Sequence, residues 1–566
     1  MIDTKLYPLG QGLDSIVNVK RDNCIVKGEY RTRGTEIETK TIMDVGLDIK
    51  KSSQSLGFSF DLGLKELGIG FGITHEQSSE RSVLNISLYR YSKVLTGIRR
   101  YTKARMDETI KQKNMELHQF INRYGDSYIN HVKEGGVAFI EYKFFCKSIE
   151  EREQLKAKLN ADIVIKGIPI GADLNGQIEN ISKEMNVNCS AFFKCIGIDN
   201  KNLPEMKDFN EKLQFVENGF QKMDMDSPQV MEYEAVGYEY LEGFDENVWK
   251  DKSGANAWSI IKANRETSKK IFNDFIKVKQ LSDQIDWIKM VYDRYGAKEH
   301  AQKDTKLIEA KKTVNEDINL LNQAVSKYKA TPAASIAKIK FSSLNYGNPF
   351  LAYEYIEGPQ WGGDGGSEFN SLPALMNIEY KLPRISYIQM RSGDYVSSLM
   401  TSISVKEDMY NISSTEEKRL TSTEIIEQQR ERGFFDYAKF MVPGFGIAHE
   451  IFEQSTGGNL ERIEKPVNFF FKFGGNSANQ LSRELQIKEG ESITNISGAF
   501  GSMVDRLRFS TKYDSVEAGG QGGSYFEYKA EPEDCLIAFR GKAGAELDRL
   551  QPIYLRFNNA KWQRVD

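Results

Sequence analysis

The chain has 566 residues, with Lys+Arg 76 against Asp+Glu 80 and a formal net charge of −4 at pH 7. That length exceeds what one hydrophobic core supports, so two or three domains are expected, and the 40% hydrophobic and 11% aromatic content suits a folded protein. No global basic field argues for a nucleic-acid partner or for electrostatic capture by anionic lipid.

The five cysteines (Cys24, Cys146, Cys189, Cys195, Cys535) form no CxxC and read as reduced core residues, neither a disulfide framework nor a zinc site. The first residues carry no apolar h-region, so a cleavable signal peptide is not expected, and no run approaches the roughly 20 apolar residues of a spanning helix.

In chain order, Leu9-Gly-Gln-Gly-Leu-Asp14 precedes short β-rich segments that run to about Asp44. Next, Phe58, Phe60, Leu62 and Leu64 alternate with Gly, Ser or Asp, and Leu67, Ile69, Phe71 and Ile73 continue the alternation beyond a Lys65-Glu66 tip. Strict period two on two arms predicts a hairpin with one apolar face and one small, polar face. The pattern alone leaves a soluble hairpin and a transmembrane hairpin open, although a glycine-rich wet face is unusual for the former.

Residues 82–96 read as a long strand, and 102–123 as an amphipathic helix using Met106, Ile110, Met115, Phe120 and Ile121. Then comes Tyr124-Gly125-Asp126-Ser127-Tyr128, followed after six residues by Gly135-Gly136. The spacing predicts a helix end running into a strand that opens on a double glycine, a hinge at which a sheet bends or another element packs closely. A helix cap and an ordinary strand entrance fit that spacing as well.

The identities resemble the signature of the membrane-attack-complex/perforin (MACPF) family, with Asp126-Ser127 where that family usually has Thr-His. The Leu9–Asp14 opening is also similar to the start of such domains. The resemblance implies an α+β fold, a MACPF/cholesterol-dependent-cytolysin-like bent antiparallel sheet with flanking helical clusters. It also implies two membrane-inserting segments, one on each side of the signature. The first would be the hairpin at about 48–82. The second, at about 152–188, carries Ile163, Ile165, Ile168 and Ile170 and has mixed, more helical spacing.

Beyond the hinge, 137–145 and 187–198 read as a third and a fourth strand, 227–238 as a closing strand, and 253–327 as long helices with solvated charged faces. The Lys329 to Ala334 stretch is the expected boundary between domains at 1–335 and 336–566.

The second half repeats itself. Gly362-Gly363-Asp364-Gly365-Gly366, Gly474-Gly475-Asn476 and Gly519-Gly520-Gln521-Gly522-Gly523 each begin a β-rich unit. Related turns end each unit: 392–399, Phe500-Gly501 to Asp505-Arg506-Leu507, and Ala543-Gly544-Ala545-Glu546-Leu547-Asp548 to Leu550. With Ile385/Ile388 and Ile493/Ile496, these resemble the jacalin-related lectins, an all-β β-prism. The resemblance implies a sugar held between a glycine loop and a Gly-x-x-x-Asp loop, whose carboxylate accepts sugar hydroxyls. Cyclic pairing in that fold would set Gly544, Ala545, Glu546 and Asp548 against the 362–366 loop, and Gly501 and Asp505 against Gly519 and Gly520. The remaining turn has Ser397 at the Asp position, so that site is expected to be weak or dead. Each glycine run also fits a plain tight turn, and each Asp a turn-capping carboxylate. Residues at about 410–467 read as an insertion.

The five histidines stand apart, without HExxH, and no P-loop or Gly-x-Ser-x-Gly appears, so no enzyme, cofactor or metal is expected. The combined expectation is a pore-forming toxin or cytolytic effector, released as a soluble monomer. Its β-prism would bind a glycan or glycosylated receptor on a target-cell membrane, and its subunits would assemble into a homo-oligomeric ring. The alternative is a non-lytic carbohydrate-binding or adhesion protein using the same scaffold.

Overall fold

The structure is a computed structural model that describes residues 9–16, 19–33, 36–44, 85–146, 149–165, 173–185, 187–198, 202–206, 209–225, 228–250, 256–332, 334–371, 383–410, 451–452 and 462–563. The chain forms two compact units. One contains Met1–Asp283, Lys311–Tyr346 and Ala448–Glu461; the other contains Gln284–Ala310, Gly347–Ile447 and Arg462–Asp566. Composition suggested one boundary near 335, whereas the chain crosses between units several times, because each unit claims parts of the long helices Trp258–Arg294 and Thr305–Ala330.

The first unit is organised on a nine-stranded sheet: β1 (Gly12–Asp14), β2 (Val19–Arg21), β3 (Ile25–Arg33), β4 (Glu36–Asp44), β5 (Asn85–Met106), β6 (Ser127–Phe145), β7 (Asn188–Ile196), β8 (Gln229–Gly237) and a two-residue strand, Ile451–Phe452, that runs parallel to β7. At 22 and 19 residues, β5 and β6 are the spine, paired antiparallel from Asn85↔Phe145 to Arg100↔His131. Each changes its outer neighbour halfway. β5 pairs β4 along 87–95 and β3 along 98–106; β6 pairs β7 along 137–145 and β8 along 127–135. Both changes occur at the level where the Leu95/Gly97 irregularity of β5 faces Gly135-Gly136 of β6.

The predicted hinge is therefore inside a strand, not at its entrance. A Cβ on Gly135 would stand 2.0 Å from the Val94 carbonyl oxygen, so only a bare backbone fits where the ladders change partners. Gly125 instead caps the preceding helix at φ 84°, its N–H donating to Ile121 O at 2.9 Å. Tyr124 is buried beside it.

The helix expected over 102–123 is shorter, Leu117–Tyr124. Residues 102–106 remain in β5 because β3 extends alongside to the Ile25↔Met106 pair, and that ladder outweighs the local helical spacing. The helix begins at a capping box in which Gln119 Oε1 accepts from Glu116 N at 3.0 Å. Its Phe120 is fully buried among Trp249, Tyr124 and Tyr238, with ring centroids at 5.1, 5.3 and 5.6 Å.

Between β6 and β7 the chain is helical: Ile149–Leu159, a π-turn at Asn160–Ile165, and Leu174–Met185. Leu155, Leu159, Ile163 and Leu174 are fully buried in one core with Ile86, Leu88, Ile140 and Phe144 of the sheet. Of the second predicted membrane segment, Ile163 thus lies in this core and Ile165 ends the π-turn, whereas Ile168 and Ile170 fall outside the described residues. The first segment, with Phe58, Phe60, Leu62, Leu64, Leu67, Ile69, Phe71 and Ile73, also lies outside them. The flanking register is defined: Asp44 pairs Ser87, Asn85 pairs Phe145, and Phe145 pairs Asn188. The ends from which 45–84 and 146–187 depart therefore lie together at one end of the sheet.

Two buried charge clusters fix this unit. Arg90 on β5 pairs with Glu217 at 2.9 Å, their side chains 5% and 1% exposed. Asp126 accepts from Ser15 N and Oγ and pairs with Arg265 Nε at 2.7 Å, and Arg265 also binds Glu239 at 2.7 Å. Nearby Asp14 accepts from Arg21 and from the Tyr328 hydroxyl, each at 3.1 Å. Burial, then the Asp126 charge, raises the Asp14 carboxyl to about 6, and burial also raises Asp126.

The second unit has three antiparallel sheets of four or five strands, the β-prism expected from the repeats. Their central hairpins are Arg384–Ser392 with Val396–Tyr410, Asn495–Phe500 with Val504–Ser510, and Asp534–Ala543 with Leu547–Gln563. The repeats do not map onto consecutive sheets, because Asn348–Glu357, Trp361–Gly362 and Ser367–Asn370 pair with the last hairpin. Sequence ends thus close the prism against each other. The predicted insertion is narrower than 410–467, since pairing continues from Ser398↔Gly474 out to Tyr410↔Arg462.

Candidate functional site

The prism's three hairpins are built alike where they turn. Each carries a register irregularity at its last pair, at Arg391/Ser392, Ala499/Phe500 and Lys542/Ala543. Each then closes with the same hydrogen bond: Gly393 N to Tyr395 O at 3.0 Å, Gly501 N to Met503 O at 3.0 Å, and Gly544 N to Glu546 O at 2.9 Å. Two residues past each predicted acidic position, Leu399, Leu507 and Leu550 are fully buried and anchor the turn.

A glycine loop lies beside each turn. Gly362, Gly474 and Gly519 occupy φ 110°, 100° and 115°, which strains any residue with a side chain. The following glycine N–H donates to the hairpin: Gly363 to Asp548 O at 2.8 Å, Gly475 to Ser397 O at 3.0 Å, Gly520 to Asp505 O at 2.9 Å. The predicted pairing of Asp548 with the 362–366 loop and of Asp505 with the 519–523 loop is the one the structure forms.

Of the later glycines, Gly366 and Gly523 hold φ 68° and 76° and also lie against the Ala543 and Phe500 backbone, whereas Gly365 and Gly522 face a carboxylate alone. A Cβ at Gly365 or Gly366 would sit 2.4 or 2.5 Å from an Asp548 carboxylate oxygen; at Gly522 or Gly523 it would sit 2.6 or 2.5 Å from Asp505. The third loop has Ser477-Ala478 at these positions and Ser397 opposite. With no carboxylate to avoid, a Cβ is tolerated. Ser397 is fully buried and donates back to Arg391 O at 3.1 Å.

Two of the acidic sites differ in their surroundings. Asp505 is 6% exposed, and its Oδ2 has no hydrogen-bond donor among the described residues. Asp548 is half-buried, and its loop is held from outside: Arg549 Nε donates to Gly363 O at 2.9 Å, Arg549 also binds the Asp364 carboxylate, and Lys542 Nζ stands 3.7 Å from Asp364. A fixed loop presents its N–H groups without reordering on binding. This Lys542–Arg549–Asp364 clamp was missed from sequence, although an Arg following each Asp at 506 and 549 was a signal.

Not every predicted residue points into its own site. Gly544 lies at its own loop, where a Cβ would meet Gly366 Cα at 3.6 Å, and Gly501 lies 3.5 Å from Asp505 by the same measure. Ala545 and Glu546 instead face the neighbouring loop: Ala545 O crowds Gly475, and Ser477 Oγ donates to both Ala545 O, at 3.0 Å, and Glu546. Gly363 approaches Ser502, and Gly520 approaches Asp394, in the same cyclic sense. Each loop therefore lies between its own hairpin and the turn of the next.

Comparison with known proteins agrees on this half. The jacalin-like lectin domain profile matches residues 458–552. Among solved structures, Malaysian banana lectin is 16% identical and matches 36% of this chain and 100% of its own, with TM-score 0.22. A mannose binding jacalin related lectin from Ananas comosus is 15% identical over 36% of this chain and 99% of its own, with TM-score 0.21. The Calystegia sepium agglutinin is 15% identical over 36% and 98%, with TM-score 0.22. No curated protein matches the chain. Residues 458–552 are thus assigned to a jacalin-like lectin domain by the profile match.

Proposed function

We propose that this protein is a pore-forming effector whose prism binds a glycan on a target membrane and whose first unit, of the MACPF kind, inserts β-hairpins after assembling into a ring. Sugar capture rests on Asp548 and Asp505, two carboxylates lying against glycine loops that carry no side chains. Each carboxylate accepts from hydroxyls, and hydrogen bonds to a charged acceptor are the stronger kind. The Ananas comosus relative is described as mannose binding, so mannosides are the first probe.

The observation that carries pore formation is the strand register at one end of the sheet. β4 leaves at Asp44 and β5 returns at Asn85; β6 leaves at Phe145 and β7 returns at Asn188. Were 45–84 and 146–187 to refold as hairpins, all four strands would lengthen in their existing register. Each stretch has room for two transmembrane strands of about 9–11 residues. A lone hairpin would leave unpaired backbone groups in lipid, so ring closure has to accompany insertion.

A second reading, a non-lytic lectin on the same scaffold, is favoured by the full burial of Leu155, Leu159, Ile163 and Leu174, which ties the 149–185 helices into the core. Vesicles of phosphatidylcholine with and without a mannosyl lipid separate the two. Dye release that depends on the mannosyl lipid and falls with Asp548→Asn supports the pore-forming reading; mannoside binding without release supports the second.

A further inference from the structure

Equivalent positions around the three glycine loops differ in charge, and one loop stands out. At the 362–366 loop, Lys542 and Arg549 are cross-strand neighbours, and both meet Asp364. At the 519–523 loop, Arg506 and Arg508 both meet Glu517, each at 3.7 Å. At the 474–478 loop the cations are Arg391 and Lys472, whose side-chain contacts go to Ala478 O and Asn476 Oδ1, with no ion pair to an acid among the described residues.

The backbone sets these two on one face. Arg391 pairs Ser398, Ser398 pairs Gly474, and Lys472 lies two residues before Gly474 on the same strand. Both reach the loop: Arg391 Nη1 donates to Ala478 O at 3.4 Å, and Lys472 Nζ donates to Asn476 Oδ1. Between them Ser398 is 0% exposed, and its Oγ, like Arg391 Nε, has no partner among the described residues. Burial, and then the charge of Arg391, lowers the Lys472 ammonium from its ordinary value. Glu546 of the neighbouring turn accepts from Ser477. Asn476 and Ser477 are exposed, so the loop is open to a ligand.

We propose that this third loop, which has lost the carboxylate of its two counterparts, is an anion subsite that takes a carboxylate or sulfate group carried on a glycan. A guanidinium fork beside an ammonium suits a multi-oxygen anion. Such a ligand would answer the two cations at the loop, with the unpartnered Arg391 Nε and Ser398 Oγ buried behind them. The glycan part of this inference rests on the lectin reading above, because the loop keeps the backbone arrangement of its sugar-facing counterparts.

The test is calorimetric titration of the full chain with methyl mannoside, a sulfated uronic-acid disaccharide and inorganic sulfate. Two double variants are compared, Arg391→Gln/Lys472→Met and Asp505→Asn/Asp548→Asn, each checked by thermal unfolding. The Arg391/Lys472 variant is expected to bind the sulfated disaccharide about tenfold or more weaker while keeping methyl mannoside, since two charge-assisted contacts are lost. The Asp505/Asp548 variant is expected to do the reverse. Unchanged disaccharide binding by the Arg391/Lys472 variant, or its loss in the Asp505/Asp548 variant, overturns the inference and leaves the neutral-sugar reading standing. Sulfate binding that depends on Arg391 and Lys472, with neither sugar bound, overturns the lectin reading and the glycan identity of the ligand together.

Discussion

The long-stranded sheet and the prism both place glycine at their critical points, but for opposite reasons. In the sheet, a side chain on Gly135 would strike backbone, the Val94 carbonyl, so glycine there lets two strands change partners. In the prism, a side chain on Gly365 or Gly522 would strike the end of a carboxylate, so glycine there lets the loop lie directly against an acceptor. The first kind of glycine meets backbone and the second meets a movable side chain, the one the lectin reading assigns to sugar capture. The third loop is the internal control, because where Asp becomes Ser397 the glycines become Ser477 and Ala478.

Substitutions can break this contrast. The largest effects belong to the sheet. Glu217→Ala strands Arg90 in the core and is expected to cost about 3–5 kcal/mol, read by denaturant unfolding, with hydrogen exchange on β5 and β6 locating the loss. Gly135→Ala is expected to cost about 3 kcal/mol or more, because backbone cannot rotate aside. Gly365→Ala is the sharper half of the pair. Unfolding stability should move by less than about 1 kcal/mol, as the Asp548 side chain can swing away, yet mannoside affinity should fall about tenfold. If Gly365→Ala unfolds the prism as readily as Gly135→Ala unfolds the sheet, the two glycine roles are not distinct.

A smaller effect comes from pH. Asp14 titrates higher in the fold, at about 6, than in the unfolded chain, so its burial is best tolerated when protonated. Its contribution is present below about pH 4 and is lost as pH rises through about 6. Relative to wild type, Asp14→Asn should therefore gain stability at pH 7 and lose that advantage by pH 4, measured as the difference in unfolding free energy. A constant difference across that window would contradict the assignment.

The prism was legible in sequence because its information is local: a glycine run, a Gly-x-x-x-Asp turn, and a repeat to compare them against. The matching of Asp548 and Asp505 to their loops is not local and comes from the resemblance to the jacalin-related lectins. Ala545 and Glu546 could not be placed that way, because they serve the neighbouring loop, and a turn's outward direction is set by three-dimensional packing. The Arg391, Ser398 and Lys472 cluster was equally hidden, since cross-strand register brings together residues far apart in sequence. In the sheet, spacing misplaced two features. Met106 looked helical until β3 claimed it, and Gly135-Gly136 looked like a strand entrance because the preceding β6 residues, 127–134, are mostly polar. A ladder that changes partners leaves no periodic trace in either strand.

The pore-forming reading concentrates on one mechanical step, the release of the 146–187 stretch from the sheet core. An engineered disulfide joining the Leu174–Met185 helix to β7 tests it directly, with dye release from mannosyl-lipid vesicles measured before and after reduction. The account predicts that the oxidised protein binds the vesicles without leakage and that reduction restores leakage to the wild-type level. Equal leakage from oxidised and reduced protein would contradict it.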